Sequence, residues 1–543
     1  MNTQIYKNGR IFTCNESAPF ADAMIVKEGR ILWIGQENDM PPCTGSVTDL
    51  KEKRVIPGFV DAHMHPVMLA NLMKKISAMP PAVHSIEDLI REIKNCRSRR
   101  KAGEWIEGWG YDEREFSENR SLTRYDLDRG CEDSPVSVMR TCAHILCVNS
   151  LALKLAGIDR NTPDPPGGEI ERDALGEPTG VLKENARNLI VPLLPAESLE
   201  TQAQNLKELG DLLASQGVTS VCDMGSLEGQ DNLPVYEQAV PLGFHQRAGL
   251  YMMWDDVSSQ SGITFPLEKT DRDQQIFLAG LKIIGDGSVS GRTAWMDEPY
   301  QNGAPDDCGI SVCSDELLES ALSFCRQNRC QLSVHAMGTR TISRMIDRVI
   351  QEKPWTDSAI PHLRLEHVTL PSPDSIRKAA EHHLVFVTQP VFMYAEASSY
   401  LANLGPERTK TCYPIRNILD QGVRTAFSTD APATFWAVPS DPFPGLKEAV
   451  TRRSFRGVDL GISQAVTIEE AICLYTREAA FAAGFPDTGI LAKGFHADFL
   501  ILDRDILSVP AEEIDRVQVL ETFINGECIY QKNKKFKLTE NLL

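Results

Sequence analysis

The sequence predicts an α/β protein built on a closed barrel of eight parallel strands, with a small β unit assembled from both chain ends. Short apolar runs alternate with helical stretches through the middle of the chain, which is typical of a parallel sheet. Polar residues able to bind metal ions follow several of these runs. Functional groups of such barrels lie at the carboxyl ends of the strands, so this coincidence favours the barrel.

The two chain ends carry similar patterns of short apolar strands broken by turns such as Asn8-Gly9 and Glu28-Gly29. Isolated hairpins are only marginally stable in water. We therefore predict one composite β unit from residues 1–56 and 489–543, with the rest of the chain inserted between them. The strand patterns occupy residues 4–13, 24–35, 497–503 and 519–530.

Eight apolar runs of strand length predict the barrel, which we assign to residues 57–68 and 202–488. Residues 69–201 then form an insertion after the first strand, and we expect it to carry helices and turns; a lid is one role open to it. The eight runs lie at residues 57–65, 217–223, 246–252, 278–287, 331–335, 363–367, 384–389 and 423–430.

The composition of the chain disfavours several classes of partner and function. The chain has 543 residues, 42% of them hydrophobic, which is enough for a large core. Its 56 basic and 75 acidic residues give a net charge of −19, which disfavours nucleic acid and anionic membrane partners. No apolar run of about 18 residues predicts a membrane span. With no apolar signal segment and no Cys-x-x-Cys among 14 cysteines, we expect reduced thiols in the cytoplasm.

Histidines and one aspartate at the strand ends predict a metal centre. His63 and His65 alternate along the first strand, so they share one face and could share an ion. For an isolated His-x-His, the alternative is a histidine that makes its hydrogen bonds within the protein core and binds no metal. The fifth, sixth and eighth runs end at His335, His367 and Asp430, which favours the metal.

Imidazole and carboxylate ligands suit zinc, manganese, iron or nickel, and the absence of thiolates argues against a closed structural zinc site. A divalent ion lowers the pKa of bound water from about 15.7 towards about 7 and can polarise a carbonyl group. Asp430 could bind the metal, take a proton from the water and pass it to a leaving nitrogen. These residues predict a metal-dependent hydrolase, with one or two ions that we expect to be zinc.

The chain resembles the amidohydrolase superfamily, specifically the amidohydrolase 3 or YtcJ-like family. The resemblance implies a distorted (β/α)8 barrel of the TIM type, a composite β-sandwich, and a one- or two-metal centre that hydrolyses amide-like C–N bonds. It covers nearly the whole chain, through segments at residues 55–65, 165–173, 176–182, 281–288, 365–367, 388–390, 428–432 and 492–499.

Two further residues enter through the resemblance. In members with two metals a carboxylated lysine late in the fourth strand bridges them, and Lys282 matches that position by strand count. The alternative is an ordinary lysine paired with Asp286 or Asp223 at the barrel mouth. His144 matches a segment where a histidine lies near the site, which implies contact with substrate or an oxyanion, and structural packing is its alternative.

We therefore expect an enzyme that cleaves an N-acyl or N-formyl amine, or a cyclic amide, with Asp430 as the proton shuttle. Deamination of an aminated heterocycle and ester hydrolysis use the same chemistry and remain alternatives. A non-catalytic barrel homologue is disfavoured, because every expected ligand position is filled. We expect a small-molecule substrate and no nucleic acid or membrane partner, and leave a homodimer open.

Overall fold

The chain forms two compact units. The computed structural model describes residues 3–113, 116–140, 145–195, 197–226, 231–258, 263–356 and 359–532. The first unit comprises Met1–Val67, Ala203–Thr434 and Ser440–Leu543, and the second comprises Met68–Gln202 and Phe435–Pro439.

Eight strands of the first unit form one sheet within the described residues, and every hydrogen-bonded pair of neighbours in it is parallel. They coincide with the eight predicted runs, so the predicted barrel is confirmed. The strands are Phe59–Met64 (β1), Val218–Asp223 (β2), Arg247–Met253 (β3), Ile276–Ile284 (β4), Gln331–Ala336 (β5), Leu363–His367 (β6), Val385–Thr388 (β7) and Arg424–Phe427 (β8).

The first and last barrel strands meet at their carboxyl ends through residues that the sequence analysis singled out. The amide of Asp430 donates to the carbonyl of His63 at 2.7 Å, and the amide of His65 donates to the carbonyl of Ala431 at 2.8 Å. Buried Asp61 of β1 accepts hydrogen bonds from the amide and the hydroxyl of Thr429 at 3.1 and 2.5 Å. The barrel therefore closes through the segment that carries the candidate ligands.

Amphipathic helices cover the barrel strands. In Thr339–Val349 the buried side chains include Ile342, Met345, Ile346 and Val349, a spacing of three and four that places them on one face. Among the described helices, none has both the length and the apolar character needed to cross a membrane. Within the described residues, the α-helices of the two units together are Pro66–Leu72, Ile86–Ser98, Arg124–Gly130, Ser150–Leu155, Leu199–Ser215, Leu233–Leu242, Trp254–Ser258, Leu267–Thr270, Asp315–Asn328, Thr339–Val349, Pro373–Glu381, Pro390–Lys410, Ile415–Asp420, Pro442–Thr451, Ile468–Leu474 and Arg477–Ala483.

The first unit contains two further sheets, one built from N-terminal strands alone and one that combines strands from both chain ends, which confirms the composite β-sandwich. They share a core in which Phe499 stacks on Phe523 with ring centroids 4.3 Å apart, and Tyr6 meets Phe499 edge-on at 5.2 Å. One sheet contains Gln4–Lys7, Ala23–Lys27, Arg30–Gly35 and Ser46–Asp49; the other contains Arg10–Phe12, Phe20–Ala21, Arg54–Pro57, Phe499–Leu502, Val519–Ile524 and Glu527–Gln531.

The second unit contains a six-stranded sheet that the sequence analysis did not predict. Its strands lack a strong alternation of apolar and polar residues, since Gly108 and Gly110 interrupt one strand and charged residues fill much of another. Helix Ile86–Ser98 packs against this sheet, and its first turn is capped by the Ser85 hydroxyl, which accepts from the Asp88 amide at 3.0 Å. The strands are Ile76–Ser77, Ile106–Tyr111, Val136–Arg140, Ile145–Val148, Gly168–Arg172 and Pro178–Glu184.

Candidate metal centre

The carboxyl end of the barrel brings five predicted ligands together. The Asp430 carboxylate lies 3.3 Å from Nε2 of His63, 3.4 Å from Nε2 of His65 and 3.9 Å from Nδ1 of His367. The rings of His335 and His367 have centroids 4.4 Å apart. His63, His367 and Asp430 each offer one donor atom within 4.8 Å of the others, which is close enough for a shared ion.

Local backbone geometry explains how neighbouring residues of β6 face the same centre. Side chains alternate along a strand, so Glu366 and His367 should lie on opposite faces. His367 instead adopts a left-handed φ of 69°, and both residues contact the His63 ring. Asp430 has a similar φ of 57° just after β8. Such conformations are unfavourable for residues other than glycine and are concentrated at functional sites.

Hydrogen bonds fix which ring nitrogen of three histidines faces the centre. Nδ1 of His65 forms a hydrogen bond with the Gly225 carbonyl at 2.8 Å, and Nε2 of His335 forms one with the Gly287 carbonyl at 2.9 Å. A carbonyl only accepts, so the proton lies on those nitrogens and the other nitrogen is free to bind a metal. Nδ1 of His367 lies 2.8 Å from Oε1 of Gln389. This amide oxygen also only accepts, so the ring proton of His367 lies on Nδ1.

The fourth histidine has a charged partner that sequence reasoning missed. Nδ1 of His63 lies 2.6 Å from Oε2 of Glu366, which is buried beside Arg364. Burial alone would raise the pKa of Glu366, but the Arg364 and His63 charges outweigh it and hold that pKa well below its usual range. The sequence did contain one signal for this pair. Arg364 and Glu366 lie two residues apart on a buried barrel strand, so both side chains face the interior and can form an ion pair.

Asp430 is ionised in this setting. Burial opposes the charged carboxylate, yet the neighbouring histidines, His63 first among them, hold the pKa of Asp430 well below its ordinary value. Its Oδ1 atom accepts no hydrogen bond from the described residues. A buried anion with a free oxygen among histidine nitrogens suits a cation.

Lys282 of β4 lies in the same polar interior, buried and with no hydrogen-bond partner for Nζ among the described residues. Burial lowers its pKa to about 8, against the opposing charges of Glu366 and Asp430. A neutral amine is the form that reacts with carbon dioxide to give a carbamate. The lowered pKa of Lys282 therefore increases the fraction of the lysine form that carboxylation requires.

Lys282 does not pair with Asp286 or Asp223 in the described structure, where its Nζ has no hydrogen-bond partner and both carboxylates bind other groups. Asp286 accepts from the amides of Met337 and Gly338 at 3.0 and 2.8 Å, and so holds the loop after β5. It also accepts from the Trp295 amide at 2.9 Å. Asp223 accepts from Asn232 Nδ2 and the Tyr236 hydroxyl at 3.0 and 3.1 Å.

The donor set fits a divalent metal ion. Each histidine has a second ring nitrogen besides the one that its supporting acceptor holds, and the carboxylate oxygen and the lysine nitrogen lack other partners among the described side chains. Imidazole nitrogen and carboxylate oxygen are the ligands that catalytic zinc prefers. His144, the remaining predicted site residue, lies outside the described residues.

The barrel and its polar centre define a metal-dependent hydrolase. The family model described as "Amidohydrolase family" matches residues 46–530, most of the chain. The protein belongs to the amidohydrolase family, which confirms the resemblance seen in the sequence and makes it an enzyme that hydrolyses carbon–nitrogen bonds other than peptide bonds.

Full-length relatives agree with this assignment. The protein is 29% identical to YtcJ of Bacillus subtilis (strain 168) over 547 aligned residues, which cover 97% of this chain and 99% of YtcJ. It is 26% identical to the N-substituted formamide deformylase of Arthrobacter pascens, with 97% and 98% of the two chains covered. A crystal structure of an uncharacterized metal-dependent hydrolase from Pyrococcus horikoshii OT3 superimposes with a TM-score of 0.73 at 25% identity, covering 94% of this chain and 99% of that one.

Proposed function

We propose that the protein is a zinc-dependent hydrolase that cleaves an N-formyl or N-acyl amine, or a cyclic amide, to an amine and an acid. The observation that carries this proposal is the ionised Asp430 carboxylate among histidines whose free nitrogens face it. The similarity to an N-substituted formamide deformylase supports an amide of this kind as substrate.

Zinc would be held by His63, His65, His335, His367 and Asp430, and a carboxylated Lys282 would bridge two ions. When bound, the ion supplies Lewis acidity that makes water acidic near neutral pH and polarises a carbonyl group. Four imidazoles favour zinc over magnesium, which prefers oxygen ligands.

Asp430 performs the proton transfers in this mechanism. Its ionised carboxylate accepts the proton of the attacking water. The same carboxyl group then donates that proton to the nitrogen leaving the tetrahedral carbon, which makes the amine a better leaving group. The bond from the Asp430 amide to the His63 carbonyl holds the carboxylate beside the histidines throughout.

The test is elemental analysis of the purified protein combined with a substrate screen. The screen contains N-formyl amines, N-acyl amino acids, hydantoins and aminated heterocycles, and ammonia, amine and acid are assayed separately. We expect bound zinc and release of an amine with its acid. Ammonia released from an aminated ring would instead identify a deaminase, and a zinc-loaded protein without turnover would refute the proposed substrate classes.

A further inference from the structure

We propose that Glu366, held by Arg364, is a positioning residue that keeps the proton of His63 on Nδ1 and thereby leaves Nε2 free to bind the metal. The inference rests on the proposed function in one respect, that the centre binds a divalent ion. It concerns two buried residues of β6, neither of which is a metal ligand in the proposal above.

The surroundings of the Glu366 carboxylate allow it only to accept. Its Oε1 atom receives hydrogen bonds from Arg364 Nε at 2.5 Å and from the Ser333 hydroxyl at 2.8 Å. Its Oε2 atom receives one from Arg364 Nη2 at 3.0 Å and lies 2.6 Å from His63 Nδ1. Because an ionised carboxylate has no proton to give, His63 must donate from Nδ1.

Arg364 holds both the Glu366 carboxylate and the strand that contains His63. Besides binding Glu366, its guanidinium donates to the carbonyl of Ala62, the residue before His63. It also lies over the Tyr251 ring, 5.3 Å from the centroid. Arginine keeps its charge and has no acceptor atom, so it holds Glu366 as an anion and prevents the carboxylate from turning away.

His63 differs in this respect from the other candidate histidine ligands. Within the described structure, His65 and His335 donate to backbone carbonyls and His367 donates to the neutral amide oxygen of Gln389. A carboxylate oxygen of Asp286 also lies near Nε2 of His335, but at 3.5 Å, against 2.6 Å between Glu366 and Nδ1 of His63. A carboxylate behind an imidazole orients the ring and increases its basicity more than a neutral acceptor does. We therefore infer that His63 is the imidazole ligand whose metal affinity depends most on its supporting residue.

The decisive variant is Glu366→Gln, which keeps the size of the side chain. Arg364 can only donate, so the Gln oxygen turns towards it and the amide NH2 faces His63. His63 must then accept at Nδ1, and its proton moves to Nε2, where it blocks metal binding. We expect zinc affinity to fall by about 10- to 100-fold, measured on metal-free protein by competition with a chromophoric chelator, with folding checked by circular dichroism.

Two companion variants separate positioning from a general loss of structure. Ser333→Ala removes a donor from Oε1 and leaves the bond to His63, so its zinc affinity should stay near the wild-type value. In the double variant Arg364→Met/Glu366→Gln the amide oxygen is free to face His63, so zinc should bind more tightly than in Glu366→Gln alone. Wild-type affinity in Glu366→Gln, or no recovery in the double variant, would overturn the inference.

A measurement on the unmodified protein covers the case in which Glu366→Gln does not fold. Nitrogen-15 spectra of histidine-labelled, metal-free protein, with His63 assigned from a His63→Asn variant, should show its proton on Nδ1. A proton on Nε2 contradicts the inference. The two proposals fail separately: a wild-type protein without zinc or amide cleavage refutes the function, whereas an active enzyme with unchanged Glu366→Gln affinity refutes only the positioning role.

Discussion

Replacing Asp430 by Asn tests the proton-transfer role at the centre of the proposed mechanism. The amide keeps the shape of the side chain, and the main-chain bond from residue 430 to the His63 carbonyl at 2.7 Å remains. What is lost is the anion held 3.3 and 3.4 Å from the free nitrogens of His63 and His65. The variant should therefore fold but lack both a metal ligand and the proton acceptor.

General acid–base catalysis contributes about 10²- to 10⁴-fold, which corresponds to about 3 to 5 kcal/mol of transition-state stabilisation. We expect kcat/KM of Asp430→Asn to fall by at least about 10²-fold. The assay is release of amine from the best substrate of the screen, at saturating zinc so that weakened metal binding is compensated. A variant that keeps more than about a tenth of wild-type kcat/KM would refute the assigned role.

Asp498→Asn is the matched control, because it is the same substitution at another buried aspartate of the same unit. Asp498 is 4% exposed, accepts from the Asn525 amide at 2.7 Å and pairs with Arg247. Losing a charge-assisted hydrogen bond there should cost about 1.5 to 3 kcal/mol of stability, while kcat of the folded enzyme stays unchanged. Asp430→Asn should show the opposite pattern, with lost turnover and a thermal midpoint near that of the wild type.

Three further predictions follow from the structure. Chelation should abolish activity, and zinc but not magnesium should restore it; recovery with magnesium would contradict the nitrogen-rich centre. With a pKa of about 8, Lys282 is about 10% neutral at pH 7 and about 90% neutral at pH 9. A carbamate signal from ¹³C-bicarbonate should therefore grow with pH in metal-free protein and be missing in Lys282→Arg, whereas its absence from the wild type would exclude carboxylation. Phe499→Ala should lower unfolding free energy by about 3 to 5 kcal/mol because it removes the ring stacked on Phe523, without changing kcat; unchanged stability in urea would contradict the proposed sandwich core.

Local sequence signals were sufficient for the barrel and for the residues at its carboxyl end. Each strand is a short apolar run, and alternation places His63 and His65 on one face without knowledge of any distant contact. The strands ending near His335, His367 and Asp430 carried their own polar residues. These features depend only on residues that are neighbours along the chain, so they can be predicted from a single sequence.

The supporting contacts were beyond sequence reasoning because they join distant segments. Glu366 meets His63 across 303 positions, and Asp61 meets Thr429 across 368. The left-handed backbone of His367, which brings it to the same side as Glu366, follows no residue-type preference. The sheet of the second unit was not predicted for another reason. Its strands are interrupted by glycines or rich in charged residues, so they lack a clear hydrophobic periodicity.

The central claim is that side chains from separate barrel strands hold one metal centre. Crystals of zinc-loaded protein, measured on both sides of the zinc absorption edge, test it most directly. We expect an anomalous peak about 2.0 to 2.2 Å from Nε2 of His63 and from an Asp430 carboxylate oxygen. A fully zinc-loaded crystal whose anomalous peaks all lie away from these residues would contradict it.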